Sequence, residues 1–249
     1  DVYKRQATNH LVDQDGTPDP AQTAIIERWQ PLFDEIGNEV IGSTNEVITR
    51  GGTPPGSDRG VESAAGNLVA DAQQWATDAN YGAQVAFMNP GGVRSDLDSG
   101  DVTFGEAFTF QPFNNTLFTF PMTGAEIVSV LEEQCQPAGS SRPFLHLGVS
   151  DGFTYDLAKT IEVVGGVSTC TSVTVSNVRL DGVLVGATDE VIVTTNNFLA
   201  DGGDNFGTFA TVDPGLRLDG GIDIDALVAY FGEFSPVDAP STDRVNELP

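Results

Sequence analysis

A chain of 249 residues with 39% hydrophobic content is long enough to bury a proper core, as one large domain or one domain with an appendage, so disorder is not its default. Its 36 acidic against 11 basic residues leave a formal net charge of −25, which argues against a nucleic-acid polymer or an anionic membrane surface as a general partner. No apolar run reaches the length of a membrane span and no signal peptide is visible. A small phosphorylated ligand stays compatible with this charge. Lys4 and Lys159 are the only lysines, so the positive charge is almost all arginine, the side chain that binds phosphate bidentately.

In chain order, the opening Asp-Val-Tyr-Lys-Arg-Gln looks foreign to the rest of the chain, as a truncation scar would, and implies a natural start further upstream. Residues 1–20 are polar and rich in Asp and Pro, which predicts a tether. Ile25, Ile26, Trp29, Leu32, Phe33 and Ile36 recur at helical spacing up to Gly37, which predicts an amphipathic helix over 21–36 that tolerates Pro31 as a kink. A strand is expected over 40–48, a Gly/Pro loop over 50–58, and a helix over 62–77 with Leu68, Val69, Ala72 and Trp75 on one face. Asn67 and Asp71, four residues apart, share a face of that helix.

The apolar run 85–88 reads as a buried strand delivering the chain into Asn89-Pro90-Gly91-Gly92-Val93-Arg94. Further on, Thr123 with Glu126 three residues later forms a capping-box signal for a helix to about residue 134. Strands are predicted over 152–157, 172–180 and 190–195, with Asp181-Gly182 as a hairpin signal between the last two. Asp223 and Asp225 suit the positive N-terminus of a final helix over 223–231. No internal repeat is visible. The pattern is that of an α/β chain of the α+β type, with mixed β-sheets covered by helices.

Chemistry-bearing residues are few. Gly91 and Gly92 permit close backbone approach to a ligand, Arg94 adds a planar fork of donors, and Phe113 comes after an X-Pro step that starts it from extended backbone. Each alone has a plainer reading, as turn or core. His10 and His146 are the only histidines, neither in a ligand-spaced cluster, and no Gly-x-Ser-x-Gly supports a nucleophile beside His146. Asp96, Asp98 and Asp101 lack EF-hand spacing and a closing Glu, so they read as a solvated acidic loop. Cys135 and Cys170 fit no redox or zinc motif.

Taken together, the motifs carry a resemblance. Arg59-Gly60-Val61-Glu62 with Gly66-Asn67-Leu68 and Asp71, then Asn89-Pro90-Gly91-Gly92-Val93-Arg94, Gln111-Pro112-Phe113-Asn114-Asn115, and Phe198-Leu199-Ala200-Asp201-Gly202-Gly203-Asp204 resemble the C-terminal, substrate-binding domain of the 5′-nucleotidase family. The match runs from about residue 40 to 248. It implies a connecting helix over 21–38 and a substrate-binding domain over 39–249, after the 1–20 tether.

The resemblance also implies roles. Phe113 and Phe198 would sandwich a base. Asn89 and Asn115 would hydrogen-bond base or ribose, and Asp204, after Gly203, would accept from ribose hydroxyls. Arg59 and Arg94 would contact phosphate beside the Gly91-Gly92 turn. Glu62, Asn67 and Asp71 would be structural, holding the arginines and the Asn89 turn. No catalytic residue and no metal ligand is expected in this chain. Two divalent metal ions and the catalytic His-Asp pair would belong to an N-terminal metallophosphoesterase domain, acting in cis on a nucleotide or nucleoside ligand. Family members are secreted, so the resemblance implies an extracytoplasmic setting and a Cys135–Cys170 disulfide. A rival from another class is a stand-alone nucleoside- or nucleotide-binding surface module without catalysis. Stacking tolerates many bases, so nucleoside monophosphates, 2′,3′-cyclic nucleotides, nucleotide sugars and other phosphoesters stay open as ligands.

Overall fold

A computed structural model describes residues 16–248. Most of the predicted 1–20 tether, and His10 with it, lie outside those residues. Among the described residues the chain forms helices α1 (Pro20–Gly37), α2 (Ala64–Tyr81), α3 (Phe104–Phe110), α4 (Gly124–Glu132), α5 (Asn197–Ala200) and α6 (Asp223–Phe234). The strands are β1 (Val40–Thr44), β2 (Val85–Met88), β3 (Gly100–Thr103), β4 (Thr116–Thr123), β5 (Gly148–Val149), β6 (Phe153–Val164), β7 (Val167–Leu180), β8 (Val183–Leu184), β9 (Glu190–Asn196), β10 (Leu218–Ile222) and β11 (Val245–Leu248).

The strands assemble into a five-stranded mixed sheet in the order β10-β4-β9-β2-β5, a four-stranded sheet β11-β6-β7-β8 and a β1-β3 pair. β2 is buried along its whole length, and its period-two alternation divides it between two cores. Val85 and Phe87 join Phe120, Ile127, Leu131, Phe153, Tyr155 and Phe209 in one. Ala86 and Met88 join Leu68, Val69, Phe110, Leu227 and Phe231 in the other. The large sheet is thus covered by α2, α3 and α6 on one face, and by α4 with the smaller sheet on the other. At the crossing of α2 with β5, a Cβ on Gly148 would lie 2.3 Å from the Gly66 carbonyl oxygen, so glycine is what permits the close approach.

Local rules explain most element ends. Asp19 caps α1 by accepting from the Ala21 amide at 2.8 Å, and the helix runs on through Pro31. Ser63 accepts from the Gly66 amide at 3.1 Å, so α2 starts at Ala64 rather than at residue 62, and it ends at Gly82 with φ +70°. The Thr123–Glu126 capping box forms, with the Thr123 amide donating to Glu126 Oε2 at 2.7 Å, and α4 stops at Glu132, two residues short of expectation. The strand expected over 40–48 ends at Thr44; Ile48 keeps only an isolated bridge to Leu97. A second capping box, Thr103 with Glu106, starts α3, which the sequence reading did not foresee.

One expectation fails for a non-local reason. Asp181-Gly182 does make a hairpin, but it joins β7 to the short β8, while β9 enters the large sheet between β4 and β2. The helix expected over 21–36 does form, and along it Ile25, Ile26, Trp29, Leu32, Phe33 and Ile36 are all more than half exposed. Cys135 and Cys170 are bonded, tying the segment after α4 to β7.

Candidate functional site

β2 and β9 are parallel neighbours, so the segments that leave their C-terminal ends emerge side by side, the place where open α/β sheets put ligand crevices. Asn89 comes directly after β2. Asn197 and Phe198 come directly after β9, in α5. β4 runs antiparallel to β9 with Leu117 opposite Asn196, which brings Phe113 and Asn115 to the same edge. Between these segments lies a cleft of about 180 Å³ lined by Arg59, Asn89, Gly91, Gly92, Phe113, Asn115, Phe198 and Asp204.

Eight of the ten residues singled out in the sequence therefore line one cavity. Arg94 and Gly203 stand just behind it. Arg94 donates to the Gly91 carbonyl at 3.2 Å and lies 5.9 Å from the Phe113 ring centroid, so it braces the Gly-Gly turn and the aromatic. Gly203 packs on the other aromatic: a Cβ there would meet the Phe198 ring at 2.5 and 2.6 Å. Phe113 is 52% and Phe198 43% exposed, which removes both from the core and leaves their rings open along the cleft.

The polar residues form a connected frame. Asn89 is buried; its Nδ2 donates to Asp204 Oδ2 at 3.0 Å and its Oδ1 accepts from Asn196 Nδ2 at 3.2 Å. Asn196 also caps α5 by accepting from the Leu199 amide at 2.9 Å. Asp204 sits in left-handed backbone at φ 54°, a conformation that Asp tolerates better than most residues. Gln136, buried beside Cys135, secures that loop: its Nε2 donates to the Asp204 carbonyl at 3.0 Å and its Oε1 accepts from Asn205 at 2.8 Å. Across the cleft, Asn115 Nδ2 donates to Asp223 Oδ2 at 3.0 Å. Asn196 and Gln136 escaped the sequence reading, and Asp223 was read only as a charge suited to a helix N-terminus. Of the two missed, only Asn196 carried a local signal, as a cap before Phe-Leu-Ala.

Arg59 is held by its backbone, whose carbonyl accepts from the His146 amide at 2.7 Å, and its guanidinium has no hydrogen-bond or ion-pair partner among the described residues. Burial, then the positive charges of Arg142, Arg94 and Arg50, lowers its pKa, with Asp204 opposing. A cation crowded by cations favours an anion beside it. The predicted supports behave differently from expectation. Asn67 donates to Glu62 at 2.8 Å, Glu62 also accepts from the Arg244 amide at 3.2 Å, and Asp71 takes both Arg244 Nη atoms at 2.6 and 2.9 Å. These residues are structural, but they fasten the C-terminal strand to α2, and do not hold Arg59, Arg94 or the Asn89 turn. The reason is burial: an arginine drawn under α2 needs a fully paired carboxylate.

The described residues contain no group of three or more His, Cys, Asp or Glu side chains placed to hold a metal ion. Asp96 of the acidic loop is instead paired with Arg50 at 3.1 Å. His146 is fully buried, and burial lowers its pKa to about 4, so it is a neutral core imidazole.

The chain is thus an α+β domain with a mixed sheet and a partly aromatic, arginine-flanked crevice at the ends of two parallel strands. Residues 40–211 match the family described as 5′-nucleotidase, C-terminal domain, and the chain belongs to that family. An NAD 5′-nucleotidase of Haemophilus influenzae is 30% identical over 219 residues, covering 84% of this chain and 34% of that protein. A cell wall protein of Listeria monocytogenes is 32% identical over 204 residues, covering 78% and 24%. The crystal structure of a 5′-nucleotidase precursor from Thermus thermophilus superposes with a TM-score of 0.70 at 28% identity, covering 92% of this chain and 43% of that one. The chain thus spans about a quarter to under half the length of these relatives.

Proposed function

We propose that this chain is the nucleotide-recognition half of a metal-dependent phosphoesterase of the 5′-nucleotidase type. The observation that carries the reading is the pairing, across one cleft, of two half-exposed phenylalanines with an arginine that has no partner among the described residues and a held aspartate. A base would stack on Phe113 and Phe198, each contact being worth roughly 1–3 kcal/mol. Asp204 would accept from ribose hydroxyls, its second carboxylate oxygen already pinned by Asn89. The phosphate would extend toward Arg59, with Arg94 behind it.

Hydrolysis then falls to a metallophosphoesterase domain preceding this chain in the same protein. Its two divalent ions would activate water and neutralise the phosphate; the described residues here offer them no ligand cluster, and no step of the chemistry is assigned to this chain. The short coverage of the enzyme relatives supports that division. The disulfide and the cell-wall relative support an extracytoplasmic setting. Coding sequence upstream of Asp1 is expected to carry Asp-x-His and Asn-His-Glu metal motifs.

The test is a chemical-shift titration of the isolated chain with AMP and adenosine, at concentrations that reach the millimolar range. Saturable shifts are expected around Phe113, Phe198 and Asp204. Shifts elsewhere, or none, would overturn the proposal, as would metal-dependent release of phosphate from AMP by this chain alone.

A further inference from the structure

Two asparagines face the cleft, and they are held differently. Both ends of the Asn89 amide are engaged inside the protein, Nδ2 on Asp204 and Oδ1 on Asn196. Asn115 is engaged at one end only. Its Nδ2 donates to Asp223 Oδ2 at 3.0 Å, and its Oδ1 accepts no hydrogen bond among the described residues. The backbone doubles the link, because the Asp223 amide donates to the Asn115 carbonyl at 2.9 Å.

Asp223 is fully buried at the first residue of α6, and its Oδ1 has no hydrogen-bond partner among the described residues. Burial raises the pKa of this carboxyl, while the hydrogen bond from Asn115 favours the anion. Toward a carboxylate only the NH₂ end of an amide can point; the reverse orientation would set lone pairs against lone pairs. We propose that Asp223 is a positioning residue which fixes the Asn115 amide so that its carbonyl oxygen is the end presented to the cleft, and that this subsite therefore takes a hydrogen-bond donor from the ligand. The proposal rests on the nucleoside reading of the cleft and adds a polarity to it. Asp223 is thus more than a favourable charge at a helix start.

The donor has two sources on a nucleoside, an amino group on the base edge and a ribose hydroxyl. Titrations with adenosine, with purine riboside, which has hydrogen in place of the 6-amino group, and with 2′- and 3′-deoxyadenosine separate them. Wild-type protein is expected to favour adenosine over whichever analogue lacks the donor by roughly tenfold, the usual effect of leaving one buried acceptor unpaired. Asp223→Asn is nearly isosteric but no longer demands a donor from Asn115, so both amide orientations become available. In that variant the preference should fall to about twofold, and the affinity of the analogue lacking the donor should hardly change. Asn115→Ala should abolish the same preference. A ribose-hydroxyl preference that survives Asp223→Asn belongs to Asp204 and overturns the assignment of that donor to Asn115.

If Asp223 only held the fold together, its substitution would weaken every ligand alike and leave the preference intact, which would overturn the assignment. Should Asp223→Asn fail to fold, the wild-type protein decides. The Asn115 side-chain NH₂ resonances should show slowed exchange and keep their shifts when adenosine saturates the cleft; a large ligand-induced change in those resonances would mean that the amide, not the carbonyl, meets the ligand. Absence of any saturable adenosine binding would overturn the nucleoside reading itself, and this inference with it. Adenosine binding with an unchanged preference would overturn this inference alone.

Discussion

Gly203→Ala is the substitution for which the structure gives the sharpest expectation. Gly203 has an ordinary negative φ, unlike Gly202 at +84°, so alanine would not strain its backbone. The cost is contact. A Cβ at this position would lie 2.5 Å from Cε1 and 2.6 Å from Cζ of the Phe198 ring, and also 2.6 Å from the Phe198 carbonyl oxygen. The ring is 43% exposed and can swing away, but the carbonyl belongs to α5 and cannot. Overpacking of this kind costs roughly 1–3 kcal/mol. In a chain of this size each kcal/mol moves the melting temperature by roughly 2–4 °C. The displaced ring also leaves the cleft wall, so adenosine affinity should fall about fivefold or more, the lower end of a lost stacking contact. Thermal melts paired with adenosine titration read both effects. A variant that melts and binds as wild type does would refute the packing of Gly203 against Phe198 and the role given to that ring.

Two further outcomes are expected from the fold. The Cys135–Cys170 bond spans 35 residues, so by loop entropy its removal in a double Cys→Ser variant should cost about 4 kcal/mol, lowering the melting temperature by roughly 8–16 °C, and a melt unaffected by the change would contradict this. For His146, the unfolded chain takes up a proton near its ordinary value of 6.5, but the folded chain only near pH 4. Its folded-state pKa is therefore depressed, stability falls as pH drops from about 7 to 4, and the difference amounts to about 3 kcal/mol. Urea denaturation of wild type and His146→Leu across that range should show the slope shrinking in the variant; equal slopes would disprove the buried-neutral assignment.

How much of the fold and the cleft was legible in the sequence depends on how far apart the cooperating residues lie. The Thr123–Glu126 box is local and was readable, as was the fully apolar run of β2. The Asn89-Pro90-Gly91-Gly92 turn and the Phe198 to Asp204 loop were readable because their spacing resembles a family, and the structure brings them together at the ends of β2 and β9. What was hidden depends on tertiary pairing. The hairpin signal at Asp181-Gly182 could not say that β9 would leave for the other sheet. Asp223 looked like surface charge at a helix start, and only the fold buries it against Asn115. Arg59 and Arg94 were both candidates on paper; the packing puts Arg59 in the cleft without a partner among the described residues and turns Arg94 onto Gly91. Glu62 and Asp71 were readable as structural, but their partner, Arg244, lies 173 residues from Asp71, beyond the reach of any local pattern.

The central claim is a division of labour in the cleft, aromatics for the nucleoside and arginine for the phosphate. Affinities of AMP and adenosine for the wild type, Phe198→Ala and Arg59→Ala measure it directly. Phe198→Ala should weaken both ligands alike, by roughly 1–3 kcal/mol. Arg59→Ala should weaken AMP by roughly 1.5–3 kcal/mol, the range of a charge-assisted contact, and leave adenosine nearly unchanged. If Phe198→Ala spares both ligands, or Arg59→Ala costs adenosine as much as AMP, the cleft does not recognise a nucleotide in this way.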